Sequence, residues 1–194
     1  QIAFAGRNYL KNVFYGLHLS VEDHTKGGVE EKMKQAKAIA KAGGGRPLPA
    51  SITKIVHAEP FLPPDSIVGP SGERWVPLHC IVPHSKAIEA LDAVTAVYEK
   101  YADAKEKHGI RNGFLLVTVG TYGFLIEPVW FWPDARLKMY ETAIRPEHLD
   151  KLQTYDADEE GRAIVKNMRD ELALLFAEMG AVSMQLGKMY RYDT

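Results

Sequence analysis

The sequence predicts an α+β fold, a mostly antiparallel sheet with helices packed mainly on one face. Three observations carry this. The stretch Phe114 to Pro133 holds two runs of apolar, β-branched and aromatic residues separated by Gly120-Thr121-Tyr122-Gly123, the pattern of a hairpin. Segments with apolar residues at helical spacing alternate with short strand-like runs. One pattern also occurs twice: Leu17-His18-Leu19-Ser20-Val21 leads to His24-Thr25-Lys26, as Leu78-His79-Cys80-Ile81-Val82 leads to His84-Ser85-Lys86. Each copy is expected at the end of a strand entering an amphipathic helix, which favours duplication of a strand–helix–strand unit over chance. Two such units on one antiparallel sheet give a duplicated ferredoxin-like arrangement, and the clustering of hairpins and helices argues against a Rossmann sheet.

In chain order, Asn12 to Asp23 alternates and is rich enough in β-branched and aromatic residues to read as a strand. Thr25 to Ala42 spaces Val29, Met33, Ala36 and Ala40 along one helical stripe, and Gly43-Gly44-Gly45 stops it. Arg46 to Glu73 is rich in proline and reads as a functional loop. Trp75 to Pro83 is the next strand, followed by a helix from Ser85 to about His108 with Ile88, Leu91, Val94, Val97, Tyr98 and Tyr101 on its inner stripe. The hairpin comes next, its near-continuous apolar runs placing it mid-sheet with both faces covered. Asp134 is expected to cap a helix through Leu137, Tyr140 and Ile144 that ends at Pro146. A longer helix from about Asp158 to Met179 turns Ile164, Met168, Leu172, Leu175 and Phe176 inwards, and Ala181 to Gln185 is a last short strand.

A chain of 194 residues suits one domain or two small fused halves. With 24 basic against 25 acidic residues, it has no charge excess to recommend a nucleic-acid or anionic-membrane partner. Its single cysteine, Cys80, excludes a disulfide framework and a cysteine metal cluster, and fits a reducing cytoplasm. No run reaches membrane-spanning length, and no signal peptide is recognisable. Opening on Gln1 with no methionine, and entering a strand-like run almost at once, is what a piece of a larger protein would show.

Several chemistries lack their residues. No glycine-rich phosphate loop opens a helix, and there is no Gly-x-Ser-x-Gly elbow or paired-histidine zinc helix. The seven histidines, His18, His24, His57, His79, His84, His108 and His148, are scattered. His18 and His79 lie in expected strands and could face a pocket, although a satisfied core histidine accounts for each as well. His24 and His84 precede Thr25 and Ser85, which read as helix N-caps. Cys80 reads as a buried small hydrophobe.

Val117-Thr118-Val119-Gly120 through Trp132, with the preceding helix and the Ala181 to Gln185 strand, resembles the C-terminal domain of FAD-linked oxidases. That is the cap, or substrate, domain of the vanillyl-alcohol oxidase and p-cresol methylhydroxylase superfamily. The likeness runs from Val13 to about Gly187 and is best between Trp75 and Pro133. It implies a duplicated ferredoxin-like cap, with FAD held mainly by an N-terminal FAD-binding domain that nothing here matches. Residues 1–194 then form one cap domain, a fragment of the whole. The family's ligand histidines in its 2-hydroxyacid branch fall, without gaps, on Thr118 and Leu125, and neither can ligate zinc or a similar ion, so no metal is expected. The His-His pair of the vanillyl-alcohol branch becomes Leu125-Ile126, and its Tyr-Arg phenolate clamp falls within Val182 to Gln185, which cannot supply charged donors.

The resemblance implies a substrate-binding cap of an FAD-dependent oxidoreductase that oxidises an alcohol, alkylphenol or 2-hydroxyacid by hydride transfer to flavin, inactive by itself. Its partners would be its own FAD-binding domain and a small-molecule substrate, with self-association into a homo-oligomer open. Thr118, Tyr122, Leu125, Glu127 and Gln185 match positions that face substrate or flavin, and Tyr122 and Glu127 are the catalytic candidates. Glu127, if buried, would carry a raised pKa and serve as a base; the alternative is a surface carboxylate paired with a lysine. Two other functions stay open: a free-standing ferredoxin-like module binding a small molecule without cofactor, and a cap that has lost its ligands and serves assembly.

Overall fold

The computed structural model describes residues 15–47, 51–58, 61 and 64–184. The chain divides into two compact units, residues 1–62 and 63–194. The described part is mixed helix and antiparallel sheet, an α+β architecture.

In the first unit, helix α1 spans Lys26–Ala42. Thr25 is its N-cap as expected, with the Gly28 N–H donating to Thr25 Oγ1 at 3.0 Å. The helix stops at Gly43, and Gly44 takes a φ of 81° that a side chain would resist. Val29, Met33 and Ala36 are half-buried, but no residue of α1 is fully buried. A second helix, α2, spans Ser51–Ala58 inside the proline-rich stretch expected to be a loop. Pro49 and Pro60 bracket it instead of interrupting it, which is where proline is tolerated.

Of the expected strand from Asn12 to Asp23, the described part is not formed. Residues 15–23 carry no strand, and residues 12–14 lie outside those described. Tyr15, Leu17 and Leu19, the apolar half of the alternation, are exposed, so no packing rewards an extended pairing. His18 therefore sits in irregular chain while its echo His79 sits within the sheet. The two copies of the pattern do not occupy equivalent positions.

In the second unit a 3₁₀ turn at Pro64–Ile67 leads to β1 (Arg74–Pro77) and β2 (Cys80–Pro83). Helices α3 (Ala87–Lys100) and α4 (Ala102–Lys107) follow, then the hairpin β3 (Arg111–Val119) and β4 (Gly123–Trp132). Two short helices, α5 (Lys138–Ala143) and α6 (Pro146–Leu149), precede the long α7 (Glu159–Glu178). Strand β4 is the centre: β1 and β2 pair along one side and β3 along the other, all antiparallel. Pro77 faces Val129 and Cys80 faces Ile126 in one unbroken register, so β1 and β2 are a single strand through Leu78 and His79. The interruption has a physical cause. The Leu78 N–H donates to the Pro128 carbonyl at 3.0 Å, and Pro128 has no N–H to return the bond. Beyond β2, the described residues of the expected Ala181–Gln185 strand form one antiparallel bridge, Ile81 to Val182.

Helices α3 and α7 cover one face of this sheet. Ala90, Val94, Val97 and Tyr98 from α3 and Val165, Met168, Leu172 and Phe176 from α7 recur every three or four residues and meet Leu78, Cys80, Val82, Ile126, Trp130 and Trp132. Ile88, expected on the inner stripe, is exposed, because the buried stripe runs through Ala87, Ala90, Val94, Val97 and Tyr98 and leaves it on the outer side. Ser85 lies inside a 3₁₀ turn and makes no cap hydrogen bond. Burial pushes the Cys80 thiol up to about 12. Cys80 is therefore expected to stay unmodified by a thiol reagent at pH 8 and to react only as the protein unfolds; modification of the folded protein at a free-thiol rate would contradict this core.

Two other expectations change. Of the hairpin only β4 is covered on both faces; Leu115, Val117 and Val119 of β3 are 52%, 42% and 38% exposed. Asp134 does not cap a helix. Helix α5 begins at Lys138, and Asp134 is fully buried at the hub of a charged network instead. Arg162 donates to it through Nε at 2.6 Å and Nη2 at 2.8 Å, Arg74 Nε lies 3.3 Å away, and the Trp132 indole and the Asp158 N–H donate at 3.1 and 3.0 Å.

Candidate functional site

Alternation along the strands separates two sets of side chains. Val76, Leu78, Cys80, Val82 and their partners Phe124, Ile126, Pro128 and Trp130 point to the helices. Trp75, Pro77, His79 and Ile81 point the other way, with Leu125, Glu127, Val129 and Phe131 of β4 and Leu115, Val117 and Val119 of β3. This second face carries the polar group that the core does not explain.

At its centre the register places His79 directly opposite Glu127, and His79 Nε2 lies 3.0 Å from Glu127 Oε2. His79 is 4% exposed and Glu127 9%. Among the described residues the pair's neighbours along the sheet are apolar: Leu115 faces Glu127 from β3, and Leu125, two residues back, lies between Ile81 and Val117. Burial pushes the Glu127 carboxyl above its ordinary range, against the opposing pull of His79. A buried carboxylate beside an imidazole, with the carboxyl raised, is suited to accepting and returning a proton.

One end of the face is walled by aromatic and charged groups. Trp75 and Phe131 stack with ring centroids 6.1 Å apart and an interplanar angle of 23°. The Arg111 guanidinium lies 5.8 Å from the Phe131 centroid and pairs with the buried Glu73. At the other end the turn Gly120–Tyr122 closes the hairpin, with Gly120 at a φ of 62°. A separate shallow hollow, lined by Arg145, Glu147, His148 and Lys151, is less suited to chemistry. Its strongest donor, Arg145, is already engaged by Asp65, whose carboxyl that guanidinium holds below the usual range.

The expected site residues divide among these places. Leu125 and Glu127 share the face turned away from α3 and α7. Thr118 pairs with Phe124 and so belongs to the opposite, helix-covered face. The two positions onto which the ligand histidines were carried, Thr118 and Leu125, therefore do not come together. Tyr122 stands in the turn, 78% exposed. Gln185 lies outside the described residues. Glu127 is not the surface carboxylate paired with lysine that was the alternative; its partner is His79. The residues not assembled from the sequence are His79 as that partner, Trp75 and Phe131. The signal for Trp75 and His79 is the odd-numbered alternation through Trp75, Pro77, His79 and Ile81, and Phe131 joins them through its register with Trp75. Among the described residues no group of three or more His, Cys, Asp or Glu side chains could hold a metal ion. No described helix is long and apolar enough to cross a membrane.

No family model, no characterised protein and no solved structure matches the chain.

Proposed function

We propose that this chain is the substrate-facing cap of an FAD-dependent oxidoreductase that oxidises an alcohol, alkylphenol or 2-hydroxyacid. The observation that carries the reading is the buried His79–Glu127 pair at the centre of the sheet face turned away from α3 and α7. Oxidising a C–OH group by hydride loss requires its hydroxyl proton to be taken up, and an imidazole–carboxylate pair in a dry, apolar setting supplies such an acceptor. The exposed side chains of Leu115, Val117 and Val119 suit a largely apolar substrate. Among the described residues no glycine-rich loop opens a helix toward a pyrophosphate, so the dinucleotide would be held by the N-terminal FAD-binding domain. When bound, the flavin supplies the hydride acceptor.

The order strand–helix–strand–strand–helix–bridge over residues 74–182, with the segment at Val182, β1/β2, β4 and β3 side by side, supports reading the second unit as ferredoxin-like. The duplicated arrangement would need a second such sheet before residue 63, where the described residues carry α1 and α2 but no strand. A binding module without cofactor shares the same apolar face, but it gives the buried proton-accepting pair no task.

The test is to express the chain together with its natural upstream sequence and record the absorbance spectrum. A flavin spectrum from the extended protein, bleached on adding an alcohol or hydroxyacid, is the expected result. The 194-residue chain alone is expected to be colourless. An extended protein that purifies without flavin would overturn the proposal.

A further inference from the structure

The nine-residue strand β3 is an edge whose outer side no strand pairs among the described residues. Edge strands are ordinarily protected by lysine, proline, a bulge or shortness. Strand β3 has none of these: it reads Arg-Asn-Gly-Phe-Leu-Leu-Val-Thr-Val, its one charge is Arg111 at its start, and its register with β4 runs without a bulge from Arg111 opposite Phe131 to Val119 opposite Gly123. Three of its apolar side chains, Leu115, Val117 and Val119, are exposed.

The direction of its free backbone groups follows from the ladder. The Leu78 N–H bonds the Pro128 carbonyl, so even-numbered residues of β4 direct their N–H and C=O groups toward β1/β2, and odd-numbered ones toward β3. Residues of β3 opposite those odd positions are themselves odd: Leu115 faces Glu127 and Val117 faces Leu125. The backbone groups of Asn112, Phe114, Leu116 and Thr118 are left pointing outward.

We infer that β3 pairs antiparallel with β3 of a second copy of this chain, about a two-fold axis at Leu115, joining the two sheets into one. That register is the only one that overlaps all nine residues, and it brings the outward backbone groups opposite one another. Asn112 meets Thr118 of the second copy and Phe114 meets Leu116, for roughly eight backbone hydrogen bonds. Polar side chains fall opposite polar ones and apolar opposite apolar. On the other face Leu115 meets Leu115 and Val117 lies over Gly113, which leaves room for it. No like charges are opposed, because Arg111 falls opposite Val119. The occupant is a second copy because the strand is complementary to itself from Asn112 to Thr118 in this register, and Arg111 opposite Val119 opposes no like charge. The inference does not depend on the flavin reading.

Sedimentation of the 194-residue chain over a concentration series is expected to show a monomer–dimer equilibrium. Leu115→Cys then gives the register. Across a non-hydrogen-bonded antiparallel pair the two Cα atoms are about 4.5 Å apart, within disulfide range. With Cys80 buried, mild oxidation is expected to cross-link the variant into a covalent dimer, while Val119→Cys, whose neighbour across the axis is Arg111, is not cross-linked. Leu115→Lys places two ammonium groups face to face and is expected to weaken the dimer by about tenfold or more with an unchanged circular dichroism spectrum. A monomer at every concentration overturns the proposal, whether another stretch of the chain takes the edge or nothing does. A dimer that survives Leu115→Lys unweakened, or that Leu115→Cys does not cross-link, overturns it equally.

Discussion

Replacing Asp134 with alanine is expected to destabilise the second unit by about 3–5 kcal/mol, the range for breaking a buried ion pair by removing one partner. The carboxylate is fully buried and holds together elements far apart in the sequence: Arg74 at the start of β1, Trp132 at the end of β4, and Asp158 and Arg162 at the start of α7. Removing it strands two guanidinium groups beside the core and leaves the Trp132 and Asp158 N–H groups without an acceptor. The pH dependence follows from the same geometry. Burial pushes the Asp134 carboxyl up, but the bonds from Arg162, the Asp158 N–H and Trp132, with the nearby Arg74 charge, outweigh it and hold the group below its ordinary range. A carboxyl depressed in the folded state stabilises above its unfolded value, near 3.9, and the contribution is lost as pH falls through the folded value. Urea unfolding at pH 7 and in the acid limb measures both effects. The wild type should lose stability on acidification while Asp134→Ala, already without the contribution, loses less; a cost under about 1 kcal/mol at pH 7 would show that the network is not what holds these elements.

That network also marks where sequence reading reaches its limit. Asp134 follows a strand and precedes a helical run, which is the signature of an N-cap, and a local rule assigns it there. Its actual task depends on Arg162, 28 residues away, and on Arg74, 60 residues away, which no local rule sees. Elements with strong period survived folding nearly intact: the hairpin, the long α7 and the helix after β2 were legible because each buries a continuous stripe. The Asn12–Asp23 strand was not, since alternation alone cannot show whether a partner strand exists, and Leu17 and Leu19 are exposed. Glu127 was legible as the ionisable group of the hairpin. His79 as its partner was not, because the pairing follows from the register that carries β1 through Leu78 into β2 opposite Pro128. Thr118 and Leu125 were matched as one set from linear spacing. Their separation by seven residues across a three-residue turn puts them on opposite faces, which the pairing of Thr118 with Phe124 makes plain.

Under the proposed function, Glu127→Gln made in the extended protein is expected to slow reduction of the flavin by substrate about 10²–10⁴-fold, the usual contribution of a positioned general base or acid. The substitution keeps the volume and a hydrogen-bond acceptor for His79 Nε2 at 3.0 Å, so the sheet should retain its geometry. Stability should move little and in a defined direction. Burial raises the Glu127 carboxyl, opposed by His79. A carboxyl raised on folding contributes stability that is fully present below its unfolded value, near 4.3, and lost as pH rises through the folded value. Glutamine carries no such charge, so the variant should melt no lower than the wild type at pH 8, and any disadvantage should appear only in acid. This opposition separates a catalytic role from a structural one, because a structural carboxylate would show its loss at pH 8 as a lower melting temperature. The rate profile supplies a second signature: the wild-type reduction rate should rise with pH as Glu127 gives up its proton, and Glu127→Gln should flatten that limb. Tyr122→Phe is the companion test, since Tyr122 is exposed on the turn and its hydroxyl can serve the reaction only if substrate reaches that end of the face. If both variants reduce flavin at the wild-type rate, the substrate does not meet this face of the sheet, and the His79–Glu127 pair is a satisfied polar contact within the fold.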